Sequence, residues 1–298
     1  MQVKFGVQVP QEGLTYEEIK RYFISLEKLG FYSAFVYDHF HPIWKPEDAM
    51  VFENWILLSA LARETEKIRI GTLVNCNSYR YPSVTAKMAA SLDNVSNGRL
   101  EFMIGGGWYE GEYKAYGIPF PPAKVRIKQM KEAIQVIKIM WTENKAHFKG
   151  KYYNLDGAIS YPKPLQKPYP RIWVGGGGEK FTLRAIAEVG EGTNFFGTPK
   201  IFEGKLALLR NYCEKVGRDY NTIEKSWTGD LIIGTKDHEE IEDARLTGTP
   251  SQIISRIEEY LKLGVNYFII LASSRSHPDL MAIDQMELFA KKVVGAFV

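Results

Sequence analysis

Residues 171–196 read RIWVGGGGEKFTLRAIAEVGEGTNFF, and the hydrophobic period changes twice within that stretch. Arg171–Val174 is a short β-branched and aromatic run, Lys180–Val189 repeats its apolar residues at helical spacing, and Thr193–Phe196 is a second short run. Strand, helix and strand in quick succession form a βα unit and the start of the next, the signature of a parallel sheet. Upstream the same rhythm runs through strands at Val3–Val9, Ser33–Tyr37, Ile68–Val74 and Leu100–Ile104, with helices at Thr15–Leu29, Phe52–Glu64 and Ser83–Val95. The first helix carries its own punctuation, Thr15 with Glu18 at capping-box spacing and Gly30 at the stop. Downstream come strands Ser226–Ile233 and Val265–Leu271, and helices Ile201–Val216, Ser251–Leu263 and Leu280–Val294. Eight strands and eight helices predict a (β/α)₈ barrel, a fold that typically takes ~250 residues. A doubly wound open sheet is the competing arrangement, and it requires a second domain that no linker announces.

The rhythm breaks once, between Ile104 and Arg171. A long amphipathic helix, Lys124–Trp141, fills part of the gap, and Phe148–Pro170 alternates aromatics with prolines, which predicts a hairpin and a wrapping loop. The chain is therefore expected to be one barrel domain over 1–298, with insertion segments at about 105–123 and 143–170 after strand four.

Composition narrows the function classes. The 298 residues are 45% hydrophobic and 24% charged, the mix of a chain with a substantial core. Lys+Arg at 38 against Asp+Glu at 35 leaves +3 with no basic cluster, so neither nucleic acid nor an anionic membrane is an expected partner. No apolar run approaches the roughly 20 residues of a membrane span. The N-terminus shows no secretory pattern, and Cys76 and Cys213 alone make no disulfide framework, so a cytoplasmic location is expected. No metal-ligand spacing appears.

In an eight-fold barrel the chemistry sits just beyond the C-terminal ends of the strands. Strand two runs into Tyr37-Asp38-His39-Phe40-His41-Pro42-Ile43-Trp44, which places an acid, two imidazoles and aromatic surface at one strand end. His39 is the candidate general acid or base, because an imidazole titrates near working pH; the bland alternative is a histidine that only ties loop backbone. Strand three ends in Asn75-Cys76-Asn77-Ser78-Tyr79-Arg80. Arg80 is a candidate for meeting an anionic substrate, against the commoner role of a structural ion pair. Cys76 has no basic neighbourhood and is not read as a nucleophile. Strand four runs into Gly105-Gly106-Gly107-Trp108-Tyr109-Glu110, where glycines admit a flat ligand and aromatics cover it. There Glu110 is a candidate acid or base, while Glu110 and Glu112 as solvated carboxylates are the alternative.

Strand five gives the strongest chemical signal. Gly175–Gly178 feeds a helix N-terminus, and free backbone N–H groups at the positive end of a helix bind phosphate. Glu179 in the first turn competes with an incoming anion, and Lys180 assists it. Neither glycine run satisfies the dinucleotide fingerprint, and there is no P-loop.

Taken together, these motifs resemble the luciferase-like flavin-dependent oxidoreductase superfamily, in the branch that uses the deazaflavin coenzyme F420. The resemblance rests on Asp38-His39-Phe40, the Thr65–Gly71 entry to strand three, Tyr79-Arg80-Tyr81-Pro82, Ser96–Leu100, Gly105–Trp108, Gly117–Phe120 and Gly175–Gly178. It implies a barrel with the cofactor ring over the strand ends, backed by a non-prolyl cis peptide at Leu73–Val74, and with its phosphate at Gly175–Gly178. The implied cofactor-binding set is Asp38, Leu73, Val74, Asn75, Gly106, Gly107, Trp108, Gly175, Gly176, Gly177, Gly178 and Glu179. Trp44, Arg80 and Lys200 are expected at the substrate pocket, His39 and Glu110 at the chemistry. The implied reaction is hydride transfer between the deazaflavin and a small organic substrate. Sugar-phosphate-oxidising relatives place a glutamate directly after the strand-four glycines, whereas this chain has Trp108 there, which does not favour glucose 6-phosphate. An FMN-dependent luciferase-like monooxygenase is the alternative enzyme, and a non-catalytic flavin-binding protein the alternative outside catalysis. The resemblance also implies a homodimer.

Overall fold

The chain is described from a computed structural model that covers residues 2–234, 245–272 and 283–297. The first elements are β1 (Lys4–Gln8), α1 (Tyr16–Lys28), β2 (Ser33–Val36), α2 (Asn54–Glu64), β3 (Arg69–Thr72), β4 (Asn75–Cys76), α3 (Pro82–Val95) and β5 (Leu100–Gly105). Then follow α4 (Glu110–Ala115), α5 (Ala123–Thr142), the β6 (Ala146–Lys149) and β7 (Asn154–Ala158) hairpin, β8 (Ile172–Gly175), α6 (Thr182–Val189) and β9 (Gly192–Phe195). The last are α7 (Pro199–Lys215), β10 (Glu224–Ile233), β11 (Leu246–Gly248), α8 (Pro250–Lys262), β12 (Tyr267–Leu271) and α9 (Ile283–Lys292).

Eight of these strands close a barrel. β1, β2, β3, β5, β8, β9, β10 and β12 each pair in parallel with the next, and β12 returns to pair with β1. The (β/α)₈ barrel expected from the rhythm is therefore present, and the hairpin lies in the expected gap between strands four and five.

Local chemistry sets the element ends. At α1 the Thr15 side chain accepts from Glu18 N while Glu18 reaches back to the Thr15 N–H at 2.8 Å. Gly30, at φ +79°, and the Phe31 N–H bonded to Leu26 O then close it. Helices α3, α7 and α8 open on Pro82, Pro199 and Pro250, one or two residues ahead of the expected starts, because proline at the first helical position sacrifices no needed N–H. Three short elements, β4, α4 and β11, escape the sequence pattern. The expected helix Leu280–Val294 corresponds to α9, its first three residues lying outside the described ones.

The core has two parts. A large one fills the layer between strands and helices, from Val7 and Phe23 to Ile257 and Phe268. A small one, Phe35, Met103, Trp173, Tyr267 and Ile269, plugs the barrel interior, and Leu73 and Val74 pack on it. That plug makes the interior solid, so a ligand is confined to the strand ends above it.

Candidate active site

Above the plug the strand ends open into a cavity of about 1070 Å³. Leu73 and Val74 line it, and their peptide bond is cis, as the resemblance implies. The Leu73 carbonyl accepts from Gln8 Nε2 at 3.1 Å. Val74 rises between two glycines: a Cβ added at Gly105 or at Gly175 would lie 2.7 Å from a Val74 methyl. Both strands must therefore end in glycine for Val74 to reach the cavity.

On one wall stands His39, whose side chain is 11% exposed. Its Nδ1 lies 2.7 Å from Oε2 of Glu112, a carboxylate with no exposed side-chain surface. Glu112 also accepts from the Phe40 N–H at 2.5 Å and from the Tyr79 hydroxyl. Burial pushes this carboxyl up, but the bonds from His39, Tyr79 and Phe40 outweigh it and hold Glu112 below the ordinary value. Burial together with the carboxylate pushes the Tyr79 hydroxyl up, so it remains a donor. Glu110, by contrast, is half exposed and pairs with Lys114 at 2.9 Å, away from the cavity lining. The carboxylate that meets His39 is thus Glu112, which sequence reasoning left as solvated.

The same wall holds Asp38 in place. Arg80 forks onto Asp38 at 2.8 and 3.0 Å, with further bonds to Glu53 and to Asn54 Oδ1 at 2.9 Å, and Asp38 accepts the Cys76 N–H at 2.8 Å. Arg80, expected at the substrate pocket, is therefore a structural ion pair beneath it, because two carboxylates and an amide take its guanidinium. Cys76 lines the cavity with its Sγ 3.0 Å from the Tyr113 hydroxyl, and burial pushes its thiol up to about 12, which keeps it inert.

The opposite wall is backbone. Gly175, Gly176, Gly178, Glu179 and Lys180 line the cavity, while Gly177 turns toward Phe195 and Lys205. Gly176 sits at φ +110°, a conformation that favours glycine. Thr182 and Leu183 N–H both bond to Gly178 O. Among the described residues, the N–H groups of Gly178, Glu179 and Lys180 meet no protein acceptor. Lys205, missed in the sequence, donates to Gly177 O at 2.6 Å and lies 3.4 Å from Glu179 Oε1. Lys200 is exposed at the start of α7 and does not line the cavity.

Four rings stand exposed around the mouth: Trp44, Trp108, Phe181 and Phe196. Exposed apolar surface concentrated at one opening marks a ligand site. Trp44 is held by Glu12, whose buried carboxylate accepts from the N–H groups of Ile43, Trp44 and Lys45 at 2.9–3.0 Å. Glu12, Gln8, Asn194 and Phe196 also line the cavity, and nothing in their local sequence marks them. Asp38, Asn75, Gly106, Gly107 and Trp108 line it too. Among the described residues, no cluster of three or more His, Cys, Asp or Glu side chains could hold a metal, and no helix is long and apolar enough to cross a membrane.

A plugged parallel barrel with a large cavity at the C-terminal strand ends falls in the class of barrel enzymes that work from that face. Within the class, the chain belongs to the luciferase-like monooxygenase family, whose pattern matches residues 1–247. It is 32% identical over 228 residues to a protein of Kineococcus radiotolerans named F420-dependent glucose-6-phosphate dehydrogenase, covering 75% of this chain and 66% of that one. The Amycolatopsis mediterranei protein of the same name is 31% identical over 281 residues, 88% of this chain and 80% of the relative. Among solved structures, the coenzyme F420 dependent tetrahydromethanopterin reductase of Methanopyrus kandleri superposes with a TM-score of 0.85 over 100% of both chains, at 20% identity. That likeness is one of fold.

Proposed function

We propose that this chain is an F420-dependent oxidoreductase in which a hydride passes between the deazaflavin ring and a carbon of a small organic substrate, with His39 giving or taking the accompanying proton. The observation that carries the proposal is His39 itself, a cavity-lining imidazole whose Nδ1 is held by a buried carboxylate at 2.7 Å. Its ring meets a side-chain carboxylate and not loop backbone, and it stands in the wall of the cavity.

The residues present fit the cofactor. Leu73 and Val74 offer an apolar backing cleared by Gly105 and Gly175. Gly106, Gly107 and Trp108 flank it, and the bare N–H groups of Gly178, Glu179 and Lys180 suit a phosphate at a helix N-terminus. Asp38, itself in the lining, braces this wall through Arg80 and Cys76. When bound, F420 supplies the ring carbon that accepts or releases the hydride. On the substrate side, Trp44 and Tyr37 cross at 81° with centroids 5.9 Å apart and form an aromatic wall near His39. Glucose 6-phosphate, from the relatives' names, is not carried over: Trp108 follows the strand-four glycines, and Arg80 and Lys200 lie elsewhere.

The test is an anaerobic titration of the purified protein with F420 and with FMN, followed by turnover of a panel of alcohols and carbonyls. Tighter binding of F420 and substrate-dependent change of its absorbance are expected. Tighter binding of FMN with oxygen uptake would instead favour the monooxygenase, and binding without any turnover a passive carrier. We further propose a homodimer, supported by exposed Ile56 on α2 and Val84 on α3, neighbouring helices of the barrel exterior. Sedimentation showing only a 34.0 kDa species at micromolar concentration overturns it.

A further inference from the structure

We propose that Glu112 is the positioning residue for His39: its carboxylate keeps a proton on Nδ1 and leaves Nε2 as the nitrogen that faces the reacting group. The inference rests on the reading of His39 as the proton-transfer residue.

The geometry starts at Gly107. Its φ of +74° turns the chain after β5, and a Cβ there would collide with the Tyr113 hydroxyl, so only glycine lets α4 fold back under the cavity wall. Along α4, Glu110 and Glu112 are separated by about 200° of helical rotation, since each residue turns about 100°. With Glu110 turned out to Lys114, Glu112 is turned in. There it meets three donors: the Phe40 N–H, the Tyr79 hydroxyl and His39 Nδ1. An ionised carboxylate only accepts, so the proton between Glu112 and His39 belongs to the imidazole. A neutral ring protonated at Nδ1 has its lone pair on Nε2, on the opposite edge. That nitrogen can take the proton of a substrate hydroxyl as the adjoining C–H gives up its hydride, and it returns the proton when the reaction runs backward. The imidazolium formed in between carries its charge beside Glu112, which compensates it. Glu112 also bonds the N–H of the residue after His39, so ring and backbone share one anchor. Outer carboxylates that fix a histidine tautomer in this way are a general device.

Glu112→Gln separates positioning from packing. The amide has one carbonyl oxygen where the carboxylate had two. With the Phe40 N–H bonded to it, the NH₂ group faces Nδ1 as a donor and forces the other tautomer. The experiment labels the histidines with ¹⁵N and reads the imidazole shifts of cofactor-free protein at a pH where His39 is neutral. Wild type and Tyr79→Phe are expected to show His39 protonated at Nδ1, and Glu112→Gln to show it protonated at Nε2. With F420, kcat of Glu112→Gln should fall on the order of 10²–10⁴-fold, while cofactor Kd and substrate KM stay within about twofold. Tyr79→Phe removes one bond to the same carboxylate but leaves its charge and its bond to His39 in place, so its turnover should fall less than that of Glu112→Gln. A wild-type His39 protonated at Nε2 overturns the proposal even if Glu112→Gln does not fold. Equal losses of turnover in Glu112→Gln and Tyr79→Phe, with the tautomer unchanged, assign Glu112 to packing and overturn it as well. The tautomer is read without cofactor, so a chain that proved to use FMN would fail the function proposed above and leave this result standing.

Discussion

The two walls of the cavity are made of different material. On the β2–β5 side, charged side chains hold one another: Arg80 on Asp38 and Glu53, and Glu112 on His39 and Tyr79. On the β8 side there is glycine backbone, with N–H groups at Gly178, Glu179 and Lys180 that meet no protein acceptor among the described residues. The first wall's ion pairs and its His39–Glu112 contact tie its side chains to one another and, in the reading proposed above, fix a proton at one atom. The second leaves its donors for a ligand. A fixed network suits chemistry, which needs an exact nitrogen in place, whereas bare amides at a helix N-terminus suit an anionic group of any parent molecule.

The sharpest way to break the comparison is His39→Ala. Loss of a general acid or base costs 10²–10⁴-fold in rate, so turnover should fall by about that factor while F420 affinity, which the proposed reading rests on other residues, stays within about twofold. His41→Ala is the control. Its Nδ1 lies 2.9 Å from Pro42 O, it does not line the cavity, and its loss should change turnover by no more than about threefold. If His41→Ala is the crippling change, the wrong imidazole has been assigned.

The mirror experiment acts on the backbone wall. Gly178 has an ordinary φ, so alanine folds there, but its Cβ would stand 2.9 Å from Thr182 Oγ1 and crowd the free amides. Hydrogen bonds to charged groups contribute ≈ 1.5–3 kcal/mol, so Gly178→Ala should weaken F420 binding roughly 10–100-fold with kcat at saturation unchanged. Gly176, at φ +110°, is the wrong place for this test because alanine would strain the backbone itself. A normal Kd for Gly178→Ala, measured by fluorescence titration, removes the phosphate from this loop.

The two walls also differ in how far they can be read from sequence. Gly175–Gly178 before a helix announces itself, because the donor groups and the glycines that expose them are consecutive. The His39–Glu112 pair spans 73 positions and depends on the rotation of a six-residue helix that no periodicity reveals. Proximity to the glycines favours Glu110, but helical geometry turns that residue outward. Arg80 fails for a related reason: its partners Glu53 and Asn54 stand at the start of α2, where sequence shows only a helix beginning. The barrel was legible because strand and helix periods are local, and so was the order of its units. Element ends shifted where proline or a cap, not periodicity, sets them.

A smaller effect sharpens the side-chain wall through pH. Glu112 is held below its ordinary value of 4.5 in the folded chain. A carboxyl lowered by folding stabilises the fold fully above its unfolded value, and that contribution is lost as pH falls through the folded one. The difference in melting temperature between wild type and Glu112→Gln is therefore read below about pH 5, away from the ordinary imidazole range near 6.5. It should narrow as the pH drops below 4.5. A difference that widens in acid would mean that Glu112 is not ionised in the fold.

The smallest expected effects belong to two of the three charged residues that sequence placed at the site and the structure places outside the cavity lining, Arg80 being the third. Glu110 pairs with Lys114 across one exposed helical turn, a contact of a kind that contributes ≈ 0.3–0.5 kcal/mol at most. Lys200 stands exposed at the start of α7. Glu110→Gln and Lys200→Ala should each leave kcat and KM within about twofold of wild type, a result that only the geometry and not the sequence leads one to expect. A tenfold rise in KM for Lys200→Ala would show that the substrate extends past the rim formed by Phe196 and carries an anionic group, and it would return the sugar phosphates of the relatives' names to consideration. A tenfold fall in kcat for Glu110→Gln would show instead that α4 rotates when the site is loaded, bringing the outer carboxylate in and undoing the contrast between a fixed wall and an open one.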